Sequence, residues 1–266
     1  MASVSDGLVA SGYDAVYGGV SNSPIFGRMW RDLACGEDYP LEFANISFLT
    51  LAELHELSRR LAIPAGGVLV DLACGAGGPG LWVASKARSR LAGVDLSVVG
   101  VAQARRRAQE LRFERSAAFI AGAFSAVGLA TGRADGVMSV DALQYAPDKR
   151  AALDEAARLL RPGGRLAFTA FEVHPERVAD LPVLGDDPVA DYEPLLETAG
   201  FAMDSCTETA GWRERLTTTY RAVLDAADTL SGEMGAQALL ALGLEMSMTL
   251  EHDPYRRRVM VVAHTR

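Results

Sequence analysis

From Val68 to Gly80 the chain reads VLVDLACGAGGPG: an apolar run, an acid near its end, and glycines at positions 75, 77 and 80. Val68, Leu69 and Val70 read as a strand buried on both faces, as the strands of a parallel sheet are. Glycine lets a backbone turn sharply and approach a ligand closely. Leu81 to Lys86 then reads as the first turns of a helix. A buried strand, a glycine-rich turn and a helix together predict the opening unit of a nucleotide-binding α/β sheet, with the ligand at the carboxyl end of the strand.

The choice of nucleotide rests on charge. Gly75-Ala76-Gly77-Gly78-Pro79-Gly80 literally matches the G-x-G-x-x-G pattern of dinucleotide folds, and alone that match is a weak signal. In dinucleotide enzymes the first glycine leaves the strand directly and a pyrophosphate takes the helix N-terminus. Here Asp71 precedes the turn. A carboxylate there repels a pyrophosphate and attracts a cation. S-adenosylmethionine (SAM) carries an ammonium and a sulfonium and no phosphate, so the charge favours it. A nicotinamide-dependent oxidoreductase is the rival that the literal glycine pattern supports.

Later segments carry the same theme. Leu91 to Asp95 is a second strand ending in an acid, at the spacing where a carboxylate accepts the hydroxyls of a ribose. Ala117 to Ala121 reads as a third strand, followed by Gly122, Ala123 and Phe124. Val137 to Asp141 reads as a fourth. In LLRPGGRL (Leu159 to Leu166), Pro162 and Gly163 close a helix and lead into a fifth strand, Arg165 to Phe171. Phe201 to Thr209 and Tyr255 to His264 read as the sixth and seventh.

This order of motifs resembles the class I SAM-dependent methyltransferases. DLACGAG is similar to their first motif, GVD to their ribose motif, and LLRPGGRL to their turn before strand five. The resemblance covers about residues 65 to 205, and the ends of the chain look like the small-molecule branch of bacterial natural-product metabolism. It implies a doubly wound α/β fold: a seven-stranded, Rossmann-like sheet, mostly parallel with the last strand antiparallel, under a helical cap. The expected layout is an N-terminal helical cap over 1–64, a SAM-binding core over 65–210, a helical lid insertion over 211–253, and the final core strand over 254–266. Cofactor contacts are expected from Asp71, Ala73, Cys74, Gly75, Gly77, Asp95, Leu96, Ala123 and Phe124. Ala73 stands where many members carry the first glycine of the turn. Ala123 stands where many carry an adenine-binding aspartate, which leaves the adenine to backbone groups and the Phe124 ring.

Composition agrees. A chain of 266 residues is long enough for one large α/β domain with a helical lid. A net charge of −8 argues against a nucleic-acid partner, which calls for a basic face. The Arg-rich stretch Arg105 to Arg115 reads as a solvated helix face. No leader and no membrane-spanning run is visible, and Cys35, Cys74 and Cys206 are scattered without metal-ligand spacing. The expectation is a cytoplasmic protein with reduced thiols, no membrane partner and no metal, existing as a monomer or homodimer.

Two regions outside the nucleotide core bear on the acceptor. Near the N-terminus, Thr50 and Glu53 form a capping box, and Leu51, Leu54, Leu57 and Leu61 stripe the helix that follows. Ahead of it, Tyr13 and Tyr17 are candidates for the substrate pocket. Between strands six and seven, Gly211 to His252 is too long to be structureless; Trp212, Leu216, Tyr220 and Val223 mark one helix and a Leu/Met-rich stretch a second. Trp212 and Tyr220 are the pocket candidates there.

Methyl transfer from a sulfonium is an in-line displacement, so the protein mainly aligns the acceptor and excludes water. An oxygen or amine acceptor can also need a base. His174, just past strand five, ranks first, followed by Tyr145 and Asp141 after strand four. For Asp141 the favoured role is anchoring the methionine end of the cofactor or shaping the loop. The sequence thus points to methyl transfer from SAM to a small metabolite. The alternative within the same motifs is a SAM-binding protein that catalyses cyclisation or rearrangement without methylation.

Overall fold

The computed structural model describes residues 4–174, 188–252 and 255–266. Its centre is a seven-stranded sheet in the order β3-β2-β1-β4-β5-β7-β6. The strands are β1 (Val68–Leu72), β2 (Arg90–Asp95), β3 (Ala117–Ala121), β4 (Ala134–Val140), β5 (Leu160–Val173), β6 (Phe201–Glu208) and β7 (Arg256–Thr265). Neighbours from β3 through β5 run parallel, and β7 lies antiparallel between β5 and β6. The strand order reverses at β1, which pairs β2 on one side and β4 on the other. Ligands of open α/β sheets bind beyond the carboxyl ends of the strands at such a reversal.

The two faces of the sheet sort side chains with the two-residue period of a strand. On β5, Ala167 and Phe171 join one core, while Leu166, Phe168 and Ala170 join the other. The first core is shared with helices α4 (Gly78–Ala87) and α5 (Val98–Glu110); the second with α6 (Lys149–Leu159) and α7 (Glu193–Thr198). β5 starts earlier than its apolar pattern predicts. The LLRPGGRL segment is itself extended, pairing Leu160 with Ala134 and Arg165 with Gly136 across a register shift. Pro162 and Gly163 thus sit in a bulge within the strand, where a proline without an N–H is tolerated.

Further helices cover the first face. α1 (Val4–Ser21) leads into α2 (Pro24–Trp30), which continues as a short π-helical turn, Arg31–Cys35. α3 (Leu51–Leu61) begins with the capping box: the Glu53 N–H donates to Thr50 Oγ1 at 3.2 Å, and the Thr50 N–H to Glu53 Oε2 at 3.0 Å. Leu54, Leu57 and Leu61 are buried beneath it, each worth about 1.5–3 kcal/mol of burial. The insertion after β6 forms three helices where its pattern predicts two: α8 (Trp212–Asp225), α9 (Ala227–Met234) and α10 (Ala236–His252). Gly235, at φ 83°, separates the last two. α10 lies against α1. Among the described residues no helix is long and apolar enough to cross a membrane.

Candidate active site

A cavity of about 390 Å³ opens over the carboxyl ends of β1, β2 and β4. Asp71, Ala73, Cys74, Gly75, Asp95, Leu96 and Phe124 line one end of it; Tyr13, Tyr145, Tyr220, Glu245 and Met246 are among the residues that line the other.

The first end is built by the strand-to-turn unit of β1. Ala73 adopts φ 58°, a left-handed conformation that costs a residue with a Cβ about 1–2 kcal/mol. Gly75 follows at φ 52°, and a Cβ there would collide with the Tyr17 hydroxyl, so this position favours glycine. Gly77 is the N-cap of α4 and lies behind the cavity wall, against Ala104 and Phe119. At the tip of β2, Asp95 Oδ2 accepts from the Gly75 N–H at 2.7 Å and Oδ1 from the Ser97 N–H at 2.8 Å. The Asp95 carboxylate thus joins the glycine turn to the start of α5. Asp71 accepts from the Gly80 N–H.

That last bond decides against a pyrophosphate. The helix N-terminus that a dinucleotide would use already carries the Asp71 carboxylate, and a Cβ at Gly80 would strike Asp71 Oδ2. Burial, and then the neighbouring Asp95, push the Asp71 carboxyl up to about 8; burial also raises Asp95, against the pull of its two N–H donors. Among the described residues no cation lies beside Asp71 to offset this. Two buried carboxylates lacking a positive partner fit a ligand that brings its own charge, and SAM does.

The second end gathers side chains from distant segments. Tyr13 stands 6.2 Å from Tyr17 and 6.1 Å from Tyr145 between ring centroids. The Tyr145 hydroxyl donates to Glu245 Oε1 at 2.6 Å. Tyr220 stacks edge-on against Phe48 at 5.4 Å. Burial suppresses the ionisation of all four tyrosines and pushes the Glu245 carboxyl above its ordinary range; for Glu245, the Tyr145 hydrogen bond and Arg256 oppose that rise.

Several expected residues are elsewhere. His174 is exposed and lies outside the cavity lining; it is held at the end of β5 by its N–H donating to the Tyr255 carbonyl at 3.2 Å. Trp212 is buried against Phe171, donates its indole N–H to Glu208, and does not line the cavity. Ala123 is absent from the lining, although Gly122 and Phe124 beside it are present. Asp141 reaches the wall at φ 48°, but its carboxylate is committed. It accepts from Arg258 Nε at 2.8 Å and Nη2 at 3.1 Å, and from the Phe48 N–H at 2.9 Å. Arg258 is fully buried and also donates to Glu53 and Thr209. A carboxylate so paired orders a loop.

Two residues of the site escaped the pattern reading. Arg107, read as part of a solvated face, turns inward, donates to the Ala76 carbonyl at 2.7 Å and lines the cavity. Glu245 is the one charged residue between Ala236 and Leu250; a lone acid in an apolar helix was the signal available in the sequence.

Residues 70–168 match the family model described as a methyltransferase domain. Over that stretch the chain is similar to class I SAM-dependent methyltransferases. SAM is their cofactor. Methyltransferase GfsG of Streptomyces halstedii is 28% identical over 195 residues, covering 69% of each chain. The 27-O-demethylrifamycin SV methyltransferase of Amycolatopsis mediterranei is 25% identical over 211 residues, 75% of each. The solved [4+2]-cyclase SpnF shares the fold, with a TM-score of 0.76 over 97% of this chain and 94% of that one, at 17% identity.

Proposed function

We propose that this protein transfers the methyl group of SAM to a small, largely apolar metabolite seated among Tyr13, Tyr145, Tyr220 and Met246. The observation that carries this reading is the single cavity: one wall supplies buried carboxylates for a cationic cofactor, the other an aromatic and thioether surface for an apolar acceptor. The likeness to GfsG and to the rifamycin methyltransferase supports an acceptor from natural-product metabolism.

In this reading Asp95 accepts hydrogen bonds from the ribose, Asp71 faces the positive charge of the amino-acid end, and Phe124 packs on the adenine. SAM supplies an activated methyl on its sulfonium. The protein's task is then to align the acceptor behind that methyl and exclude water. Tyr17, resting on the Gly75 turn, and the α1 and α10 helices that bring Tyr13 and Glu245 supply that enclosure.

Calorimetry with SAM, S-adenosylhomocysteine (SAH) and NADH tests the cofactor assignment. Asp95→Ala should weaken SAM about tenfold to hundredfold, the loss of one to two hydrogen bonds to a charged group; NADH should not bind. Binding of NADH without SAM would overturn the reading. A second reading, SAM-assisted cyclisation without methylation, is favoured by the SpnF fold match along almost the whole chain. Formation of SAH and a methylated product on incubation with hydroxylated polyketides separates the two.

A further inference from the structure

Methyl transfer to an uncharged oxygen has a proton to place. A neutral amine can attack a sulfonium methyl with its lone pair and keep its proton until after the step. A hydroxyl that did so would become an oxonium, so its proton must leave as the bond forms. A proton acceptor built into the acceptor end of the cavity is therefore informative about the acceptor atom.

The carboxylates in the cavity wall are not equivalent. Asp71 and Asp95 are bound by backbone N–H groups at the cofactor end. Asp141 is paired with Arg258, and Glu110 lies 3.6 Å from Arg106. Glu245 differs. Its hydrogen-bond partner is another cavity side chain, the Tyr145 hydroxyl. The groups facing it are Tyr13 from α1, Tyr145 from the loop after β4, Tyr220 from α8 and Arg256 from β7. A tyrosine that donates to a carboxylate keeps two lone pairs on its oxygen; Tyr13 is hydrogen-bonded to Tyr145 and can use one, and the other can accept from a substrate hydroxyl, which makes a two-residue relay from the cavity to Glu245.

Resting on the methyltransferase reading above, we propose that the acceptor is a hydroxyl and that Tyr145 and Glu245 together take its proton. As the acceptor oxygen forms its bond to the methyl carbon, the sulfur–methyl bond breaks and its electron pair stays on sulfur, leaving neutral SAH. The hydroxyl proton passes to the Tyr145 oxygen while the Tyr145 proton passes to Glu245 Oε1. The positive charge lost from sulfur is matched by the negative charge lost from Glu245, and the proton leaves to solvent on product release. Burial keeps the Glu245 carboxyl above its ordinary range, which brings it closer to the working pH of a base.

The test uses the full chain saturated with SAM and 4-methylumbelliferone, an apolar hydroxycoumarin whose neutral and anionic forms differ in absorbance. Two readouts are taken: the pH at which the bound hydroxyl ionises, and formation of its methyl ether with SAH. In the native protein the neighbouring carboxylate opposes a second negative charge, so the bound hydroxyl should ionise about one pH unit or more above its value in Glu245→Gln. Methyl-ether formation should fall about tenfold or more in both Glu245→Gln and Tyr145→Phe. SAM affinity should be unchanged in either variant. Identical ionisation in native and variant protein, full turnover in Glu245→Gln, or failure of the probe to bind the SAM-loaded native protein would each overturn the proposal. Failure of SAM itself to bind would instead sink the methyltransferase reading.

Discussion

The two ends of one cavity are made in different ways. At the proposed cofactor end, Asp71, Ala73, Gly75 and Asp95 come from the tips of adjacent strands and the turn between β1 and α4, and backbone N–H groups hold the carboxylates. At the proposed acceptor end, Tyr13, Tyr145, Tyr220 and Glu245 come from four separate segments, and side chains hold one another. A site built from backbone is reproduced wherever the strand-turn-helix unit is reproduced. A site built from side chains on added helices changes with every substitution in those helices. The contrast explains how relatives such as a methyltransferase and a cyclase share this fold while differing in what their names say they do.

The largest test of this contrast removes the charge that anchors the acceptor side. Arg258→Met should cost about 3–5 kcal/mol by denaturant unfolding, because Asp141 and Glu53 would be left buried without their partner. The surviving folded protein should still bind SAM, since the glycine turn makes no contact with Arg258 among its described hydrogen bonds. A loss below about 1 kcal/mol would mean that the network does not hold the acceptor side together.

Next in size is a proton linkage at the cofactor end. With its carboxyl near 8, Asp71 holds a proton in the ligand-free protein at neutral pH, and a bound cation favours the ionised form. SAM binding should therefore release a proton, seen as a dependence of the calorimetric heat on buffer, and Asp71→Asn should abolish that release. The same shift has a sign for stability. The folded-state value lies above the ordinary 3.8, so the folded protein binds the proton more tightly than the unfolded chain. Stability of the ligand-free protein should fall as pH rises from about 4 to about 8, at up to about 1.4 kcal/mol per unit from this group.

The smallest effect tests the backbone side directly. Ala73→Gly should leave the turn in place and relieve its left-handed strain, raising stability by about 0.5–1 kcal/mol after the entropy of glycine is deducted. A destabilised Ala73→Gly would show that the Ala73 methyl packs in a way that outweighs its φ.

What was legible in the sequence follows this division. The strands and the capping box of α3 were readable because each rests on a short-range rule: apolar strand pattern, glycine at a forced turn, or a Thr and Glu at cap spacing; the order and direction of the strands came with the family resemblance. The start of β5 was misjudged because Pro162 and Gly163 announce a turn locally, whereas pairing with β4 holds them in a bulge. His174 had a reasonable address and is exposed; Trp212 had the right periodicity and faces Phe171.

By itself, then, the sequence determined the strands, the glycine turn and the acids at the tips of β1 and β2, because dihedral preferences and hydrophobic period act over a few residues. Only the tertiary structure decided the acceptor end. Tyr145 meets Glu245 across 100 residues, and Arg258 meets Asp141 across 117 and Glu53 across 205. Those meetings depend on which helix face packs against which strand end. No local rule carries that information, because it is settled by the burial of the whole chain.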